Sequence, residues 1–199
     1  MPSFAAAKAL PKAFITSGRR SFSKPVNAGL RTQIDAMSPA QLGGLDTTHF
    51  QAMTSFQLST LTSTQIQGLE TTDLAVMSVA QFSGLSATQI TALSSPQVSS
   101  LNTLDIAAMT SVQLGGFTST QIGALTAAQI VALSTENIVD LTLVHMTGIE
   151  VGDIPVFSTT QIQFFETTDL SALNGAQIAA FTSIQLGTMT STQLSAIGM

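Results

Sequence analysis

Two apolar columns run through the chain in step, eight residues apart and without an insertion or deletion. One contains Met37, Leu45, Met53 and so on to Ile197, the other Ile34, Leu42, Phe50 and so on to Leu194, and each is apolar at all 21 positions. Immediately before each member of the second column stands a polar residue. That column, starting at Gln33, holds 14 Gln, four Asp (Asp73, Asp105, Asp153, Asp169), His49, His145 and Asn137. The residue after each member of the first column, Ser38 to Thr190, is Ser, Thr, Asp or Asn at 17 of 20 positions and Glu at the rest. Self-similarity at a fixed period marks each octad as one structural unit of an array.

Within an octad the columns spell a helix start. Thr62 followed three residues later by Gln65 is a capping box, in which two side chains satisfy backbone donors that a helix N-terminus leaves open. Leu61 before the cap and Ile66 four residues after it form the matching hydrophobic staple. At about 100° per residue, eight residues overshoot two helical turns by roughly 80°, so a straight rod would wind both apolar columns around its surface. A bend at every octad keeps them on one face. The pattern therefore predicts an all-α solenoid of about 20 short capped helices, each about five or six residues long. Gly or Ala precedes the first apolar column at 14 of 21 sites, which suits close backbone approach and helix termination in the manner of a glycine C-cap. The alternative is a β-solenoid, since Thr, Ile and Val favour strands; in an extended chain, however, Leu61 and Ile66 point to opposite faces and share a core only across a turn.

Most acidic residues fall at the cap or at the third helical position, where the positive end of a helix dipole favours them. Pro39 and Pro96 sit at the first and second helical positions, where the missing N–H is no loss, whereas Pro155 lies one turn too deep. No single octad buries enough apolar surface to fold alone, so stability is expected to come from stacking.

Charge divides the chain in two. All six basic residues (Lys8, Lys12, Arg19, Arg20, Lys24, Arg31) precede the array, and all eleven acids begin at Asp35. Residues 1–32 thus form a separate basic segment and 33–199 the octapeptide-repeat solenoid. The segment is Ala-rich, contains Ser, lacks acids, and resembles a mitochondrial transit peptide. Arg20-Ser21-Phe22-Ser23 resembles a matrix-processing signal, which implies a mature start at Ser23; the other reading is a flexible basic tail. No apolar run approaches the ~20 residues of a membrane helix, and Cys is absent, which excludes disulfides and thiolate metal sites. Six basic residues with little aromatic interleaving give no nucleic-acid signature.

The array itself, as in Leu61-Thr-Ser-Thr-Gln-Ile-Gln-Gly68, is similar to the L-[ST]-x-x-Q-[IV]-x-x octapeptide arrays of bacterial adhesins and haem-utilisation exoproteins. That resemblance covers residues 33–199 and implies a spacer or adhesive stalk at the cell surface, with no catalytic residue carried over. The small size and transit-like start point instead to a non-catalytic structural scaffold or protein-interaction repeat, an accessory subunit of a mitochondrial assembly. The alternative is an extracellular adhesive or filament-forming repeat, self-associating through solenoid ends.

Candidate chemistry is sparse. His49 and His145 occupy the column of Gln and read as polar capping groups rather than metal ligands. Glu70 with Asp73, and Glu166 with Asp169, stand at i and i+3, where two carboxylates can share a cation or simply sit at a helix N-terminus. No nucleophile elbow, phosphate loop, dinucleotide fingerprint or zinc-protease motif occurs, so no catalytic, cofactor-binding or metal-binding residue is assigned and the chain is expected not to be an enzyme. The stretch Asn137 to Phe157 keeps both apolar columns but loses the consensus elsewhere, reading as drift or as a partner-binding edge. Phe56 and Phe164 lie off the apolar columns and are expected on the surface.

Overall fold

A computed structural model describes Ile34 and residues 36–199; the basic segment 1–32, with its transit-peptide reading, lies outside the described residues. Nineteen α-helices of four to six residues follow one another, from α1 (Pro39–Leu42) to α19 (Ser191–Ala196), with one 3₁₀ turn at Ile154–Val156 and no strand among the described residues. The all-α expectation holds and the β-solenoid does not form.

Each helix starts as the sequence dictates. At Thr62 the backbone is extended (φ −71°, ψ 160°), the hydroxyl accepts from Gln65 N, and the Gln65 side chain accepts from Thr62 N at 2.9 Å. The caps at Glu70 and Glu166 are weaker, because neither carboxylate accepts from a backbone N–H of its helix; each takes only a long bond from a threonine hydroxyl, Thr72 at 3.4 Å and Thr168 at 3.5 Å. Helix ends differ from the expectation of a left-handed glycine cap. Gly43 and Gly68 keep right-handed φ values of −65° and −82°, and among the described residues only Gly198 has a positive φ. The chain instead leaves the helix through an extended apolar residue, as at Leu101 (φ −59°, ψ 140°), directly followed by the extended cap. Two extended residues in succession make the bend there, and Leu133, Phe157 and Phe165 with the caps that follow them repeat it.

Helices three octads apart pack on one another, from Pro39–Leu42 against Ser63–Gln67 to Thr167–Leu170 against Ser191–Ala196. Side-chain hydrogen bonds reach back 28 and 31 residues. One superhelical turn therefore takes between three and four octads. Both apolar columns face inward as a single continuous core: Leu58, Ile66, Leu74 and Phe82 are fully buried, and Leu61, Leu69, Met77 and Leu85 nearly so.

Two glycines explain how tightly the turns approach. A Cβ on Gly68 would lie 2.5 Å from Pro39 Cβ, and one on Gly116 would lie 2.5 Å from Ala87 O. Both meet the first helical residue 29 positions earlier, so the small-residue column reflects contact between turns. The exceptional octad is the one containing Pro155. Without an N–H at that position the helix cannot form, and the 3₁₀ turn Ile154–Val156 takes its place while keeping Ile154 buried.

Candidate functional site: a buried amide seam and an exposed flank

The Gln column does more than close capping boxes. Gln129 is 1% exposed; its Oε1 accepts from Thr126 N at 2.8 Å, while its Nε2 donates to Val98 O at 2.9 Å and Leu101 O at 2.7 Å. Gln89, Gln97, Gln113, Gln121 and Gln161 repeat the arrangement with the carbonyls 31 and 28 residues before them. One amide thus starts a helix and ties it to the preceding turn. The result is a buried polar seam through an otherwise apolar core, with each of these glutamines satisfied as donor and as acceptor.

Substitutes in the column show which half of this role they retain. Asn137 accepts from Ser134 N at 3.1 Å and donates to Met109 O at 3.0 Å, keeping the 28-residue bond. His145 does the same with a ring: Nδ1 accepts from Thr142 N at 3.2 Å and Nε2 lies 3.1 Å from Phe117 O, which fixes the neutral tautomer with its proton on Nε2. Burial lowers its pKa below 6.5. The capping role read for His145 is therefore half of what it does. His49 stands nearer the surface, with Nδ1 2.7 Å from the Asp46 carboxylate.

The aspartates overturn a sequence expectation. Asp73, Asp105 and Asp169 read as first-turn carboxylates favoured by the helix dipole, yet burial dominates and raises them to about 6, 7 and 6. Nearby Glu70 and Asp46 push Asp73 the same way, and Glu166 pushes Asp169. Oδ2 of Asp73, Oδ1 of Asp105 and Oδ2 of Asp169 are buried without a partner. Asp153 is raised chiefly by burial as well, although its Oδ2 accepts from Glu150 N at 3.0 Å. Among the described residues no group of three or more His, Asp or Glu side chains gathers as a metal site, and the pairs Glu70–Asp73 and Glu166–Asp169 stay divided between an exposed and a buried carboxyl.

Outside the core, two features stand out. Shallow furrows run between turns, one of about 580 Å³ bordered by Ser95, Ser119, Thr120, Gly148 and Glu150, and one of about 380 Å³ bordered by Ser63, Ala87, Thr88, Thr91 and Gly116. At the edge of the second, Thr91 Oγ1 donates to Gly116 O at 2.6 Å, a bond between turns that Ser99 Oγ repeats to Ala124 O at 2.7 Å. The second feature is the segment between residues 131 and 166, a flank that winds through a little more than one superhelical turn. Val131, Val139, Leu143, Val144, Val151 and Phe164 are exposed there alongside Glu136, Glu150 and Glu166. Helices Thr135–Val139 and Thr159–Phe164 pack together, so Val139 and Phe164 end on adjacent turns. Phe56, as expected, is also exposed, on a helix that packs against the one carrying exposed Val79.

The flank contains the irregular stretch Asn137 to Phe157, and the seam runs behind it. Sequence reasoning found the helix-starting half of the seam; its donor half was signalled by the absence of Glu from a column that a capping box alone would leave open to Glu. No helix among the described residues is long and apolar enough to cross a membrane. No curated protein and no solved structure matches the chain. The family described as ALTTAQ repeat matches residues 66–103, 100–135 and 162–198, more than half of the chain. Those matches cover the array from residue 66 to 198 except 136–161, and the chain belongs to the ALTTAQ repeat family.

Proposed function

We propose that the protein is a non-catalytic scaffold that holds protein partners along the flank between residues 131 and 166, as an accessory subunit of a mitochondrial assembly. The observation that carries this reading is the concentration of exposed apolar side chains there, Val131, Val139, Leu143, Val144, Val151 and Phe164, beside three exposed glutamates. Clustered exposed apolar residues with a polar rim are characteristic of protein-binding surfaces. The interior supports the absence of catalysis: its Gln, Asn and His side chains are spent on caps and on the preceding turn. An array whose charged side chains are acids, without Lys or Arg, disfavours nucleic acid, whose phosphates call for basic residues. Basic residues 1–32 support import as the route to the compartment.

Replacing residues 137–157 with consensus octads tests the flank. Partner recovery in a pull-down from organellar extract is expected to disappear while helix content stays, and unchanged recovery would reject the reading. A tagged chain should co-fractionate with mitochondria and begin at Ser23. Recovery of the intact Met1 form on a cell surface or in filaments would favour the adhesive alternative.

A further inference from the structure

Three positions break the chemistry of the seam. Where Gln97 donates Nε2 to Ile66 O and Leu69 O, both at 2.9 Å, the corresponding places at residues 73, 105 and 169 hold a carboxyl. Each is almost sealed from solvent, at 1%, 0% and 3% exposure, and each keeps one buried oxygen without a partner. By the 28-residue register of the seam, the carbonyls left without a glutamine donor are those of Leu45, Met77 and Leu141. At Met77 the gap is bridged by Asn102, whose Nδ2 donates to Met77 O at 2.9 Å and to Asp105 Oδ2 at 2.6 Å, so the carbonyl left to Asp105 is that of Leu74, 31 residues back in the register. Among the described residues no side-chain donor reaches Leu45 O or Leu141 O. An ionised carboxylate offers acceptors only, whereas its protonated form restores one O–H donor.

We propose that Asp73, Asp105 and Asp169 are proton-operated clasps: with a proton each carboxyl donates to the turn beneath it in place of a glutamine amide, and without one the seam loosens there, so the solenoid is tightest in acid. Around Asp73 lie Glu70 on its own octad and Asp46 and His49 on the octad of the packed helix Thr47–Gln51; the other packed helix, Ser95–Ser100, has no titratable group. Asp169 has Glu166 on its own octad and His145 on the packed helix Leu143–Met146, while Ser191–Ala196 brings none. The His145 ring is committed to Phe117 O and Thr142 N. Asp105 is flanked by Val79–Phe82 and Ala127–Ala132, which have no titratable side chain. The neighbouring acids thus reinforce burial at Asp73 and Asp169, whereas at Asp105 burial prevails over a hydrogen bond from the Asn102 backbone that lowers it.

The folded chain binds these protons more tightly than the unfolded chain, whose carboxyls titrate near 3.8. Their stabilisation is complete below that value and is lost as pH rises through about 6 to 7. The test uses the full chain with His145→Gln as background, which removes the opposing histidine titration. Melting midpoints between pH 4.5 and 8 are expected to fall by several degrees with rising pH, and carboxyl-carbon NMR should place the three titrations well above 3.8. Adding Asp73→Gln, Asp105→Gln and Asp169→Gln, each the commonest residue of its column, should flatten the profile and raise the midpoint at pH 8. Should the combined variant fail to fold, Asp169→Gln alone should remove part of the slope. Ordinary titration of all three carboxyls, or an unchanged slope in the Gln variants, would overturn the proposal.

Discussion

Gln129→Ala isolates what one member of the seam contributes. The substitution removes the acceptor for Thr126 N and both donations to Val98 O and Leu101 O, at a side chain only 1% exposed. Each bond contributes about 1 kcal/mol net, and a buried carbonyl left without a donor costs about 1–3 kcal/mol. Because the Val98 carbonyl also accepts from Leu101 N, while that of Leu101 has the glutamine donor alone, we take the orphaning cost once. With the other two bonds at about 1 kcal/mol each, the expected loss is about 3–5 kcal/mol before the lost packing of the truncated side chain. Thr126→Ala is the control: it removes the cap alone and should cost about 1 kcal/mol. Urea melts followed by helical dichroism give the two numbers, and hydrogen exchange locates them. Ser95–Ser100 and Ala127–Ala132, the helices joined by this amide, should exchange faster than helices near residue 60. A third variant, Gln129→Glu, keeps the shape and the cap acceptor but turns the donor into an anion facing two carbonyls. It should be worse than alanine at pH 8 and recover in acid, where a protonated carboxyl again donates. If Gln129→Ala costs no more than Thr126→Ala, the seam adds nothing to the caps and the reasoning fails.

Three further outcomes follow from the same structure. Leu125→Asp places a charge where the side chain is 6% exposed, and its melting midpoint should drop on the order of 10 °C with protection lost in neighbouring octads; a midpoint that barely moves would show that octads do not depend on one another. Gly116→Ala forces a Cβ to within 2.5 Å of Ala87 O, so the turns must part slightly at a cost of about 1–3 kcal/mol, read from urea midpoints. For His145, burial lowers the folded pKa below 6.5, so the unfolded chain takes up the proton first and stability declines as pH falls through and below 6.5. His145→Gln should therefore raise the midpoint at pH 5 relative to the parent while changing little at pH 8, as measured by parallel thermal melts.

Helix starts and the core were legible because they are local. Leu61, Thr62, Gln65 and Ile66 lie within six residues, and each interaction among them is complete inside one octad. The partner of Gln65 Nε2 is Met37 O, 28 residues away, and that distance depends on how many octads close a superhelical turn. Turn size is set by how closely Gly68 approaches Pro39 and by the packing of helices three octads apart, neither of which has a local signature. The same blind spot misread the aspartates. A helix dipole is visible from sequence position, whereas the turn that buries Asp105 is supplied by residues far along the chain. Pro155 was legible as a fault, and the 3₁₀ turn is the local repair.

A seam that is both cap and clasp also accounts for the unbroken period. If Gln only capped helices, an extra residue between octads would cost one bend and leave the other caps intact. Because the same amide must also meet carbonyls 28 and 31 residues back, a single inserted residue would displace each later Gln that reaches across it from its acceptors. A turn of between three and four octads spreads that fault over several units, each left with a buried donor and buried carbonyls. Whole octads, in contrast, can be added or removed with the register preserved, since every unit presents the same carbonyls to the amide above it. Strict spacing and permissive sequence on the outer face therefore have one cause: the positions under constraint are those that complete a helix start, a turn closure or both at once, and the exposed positions other than the caps complete neither.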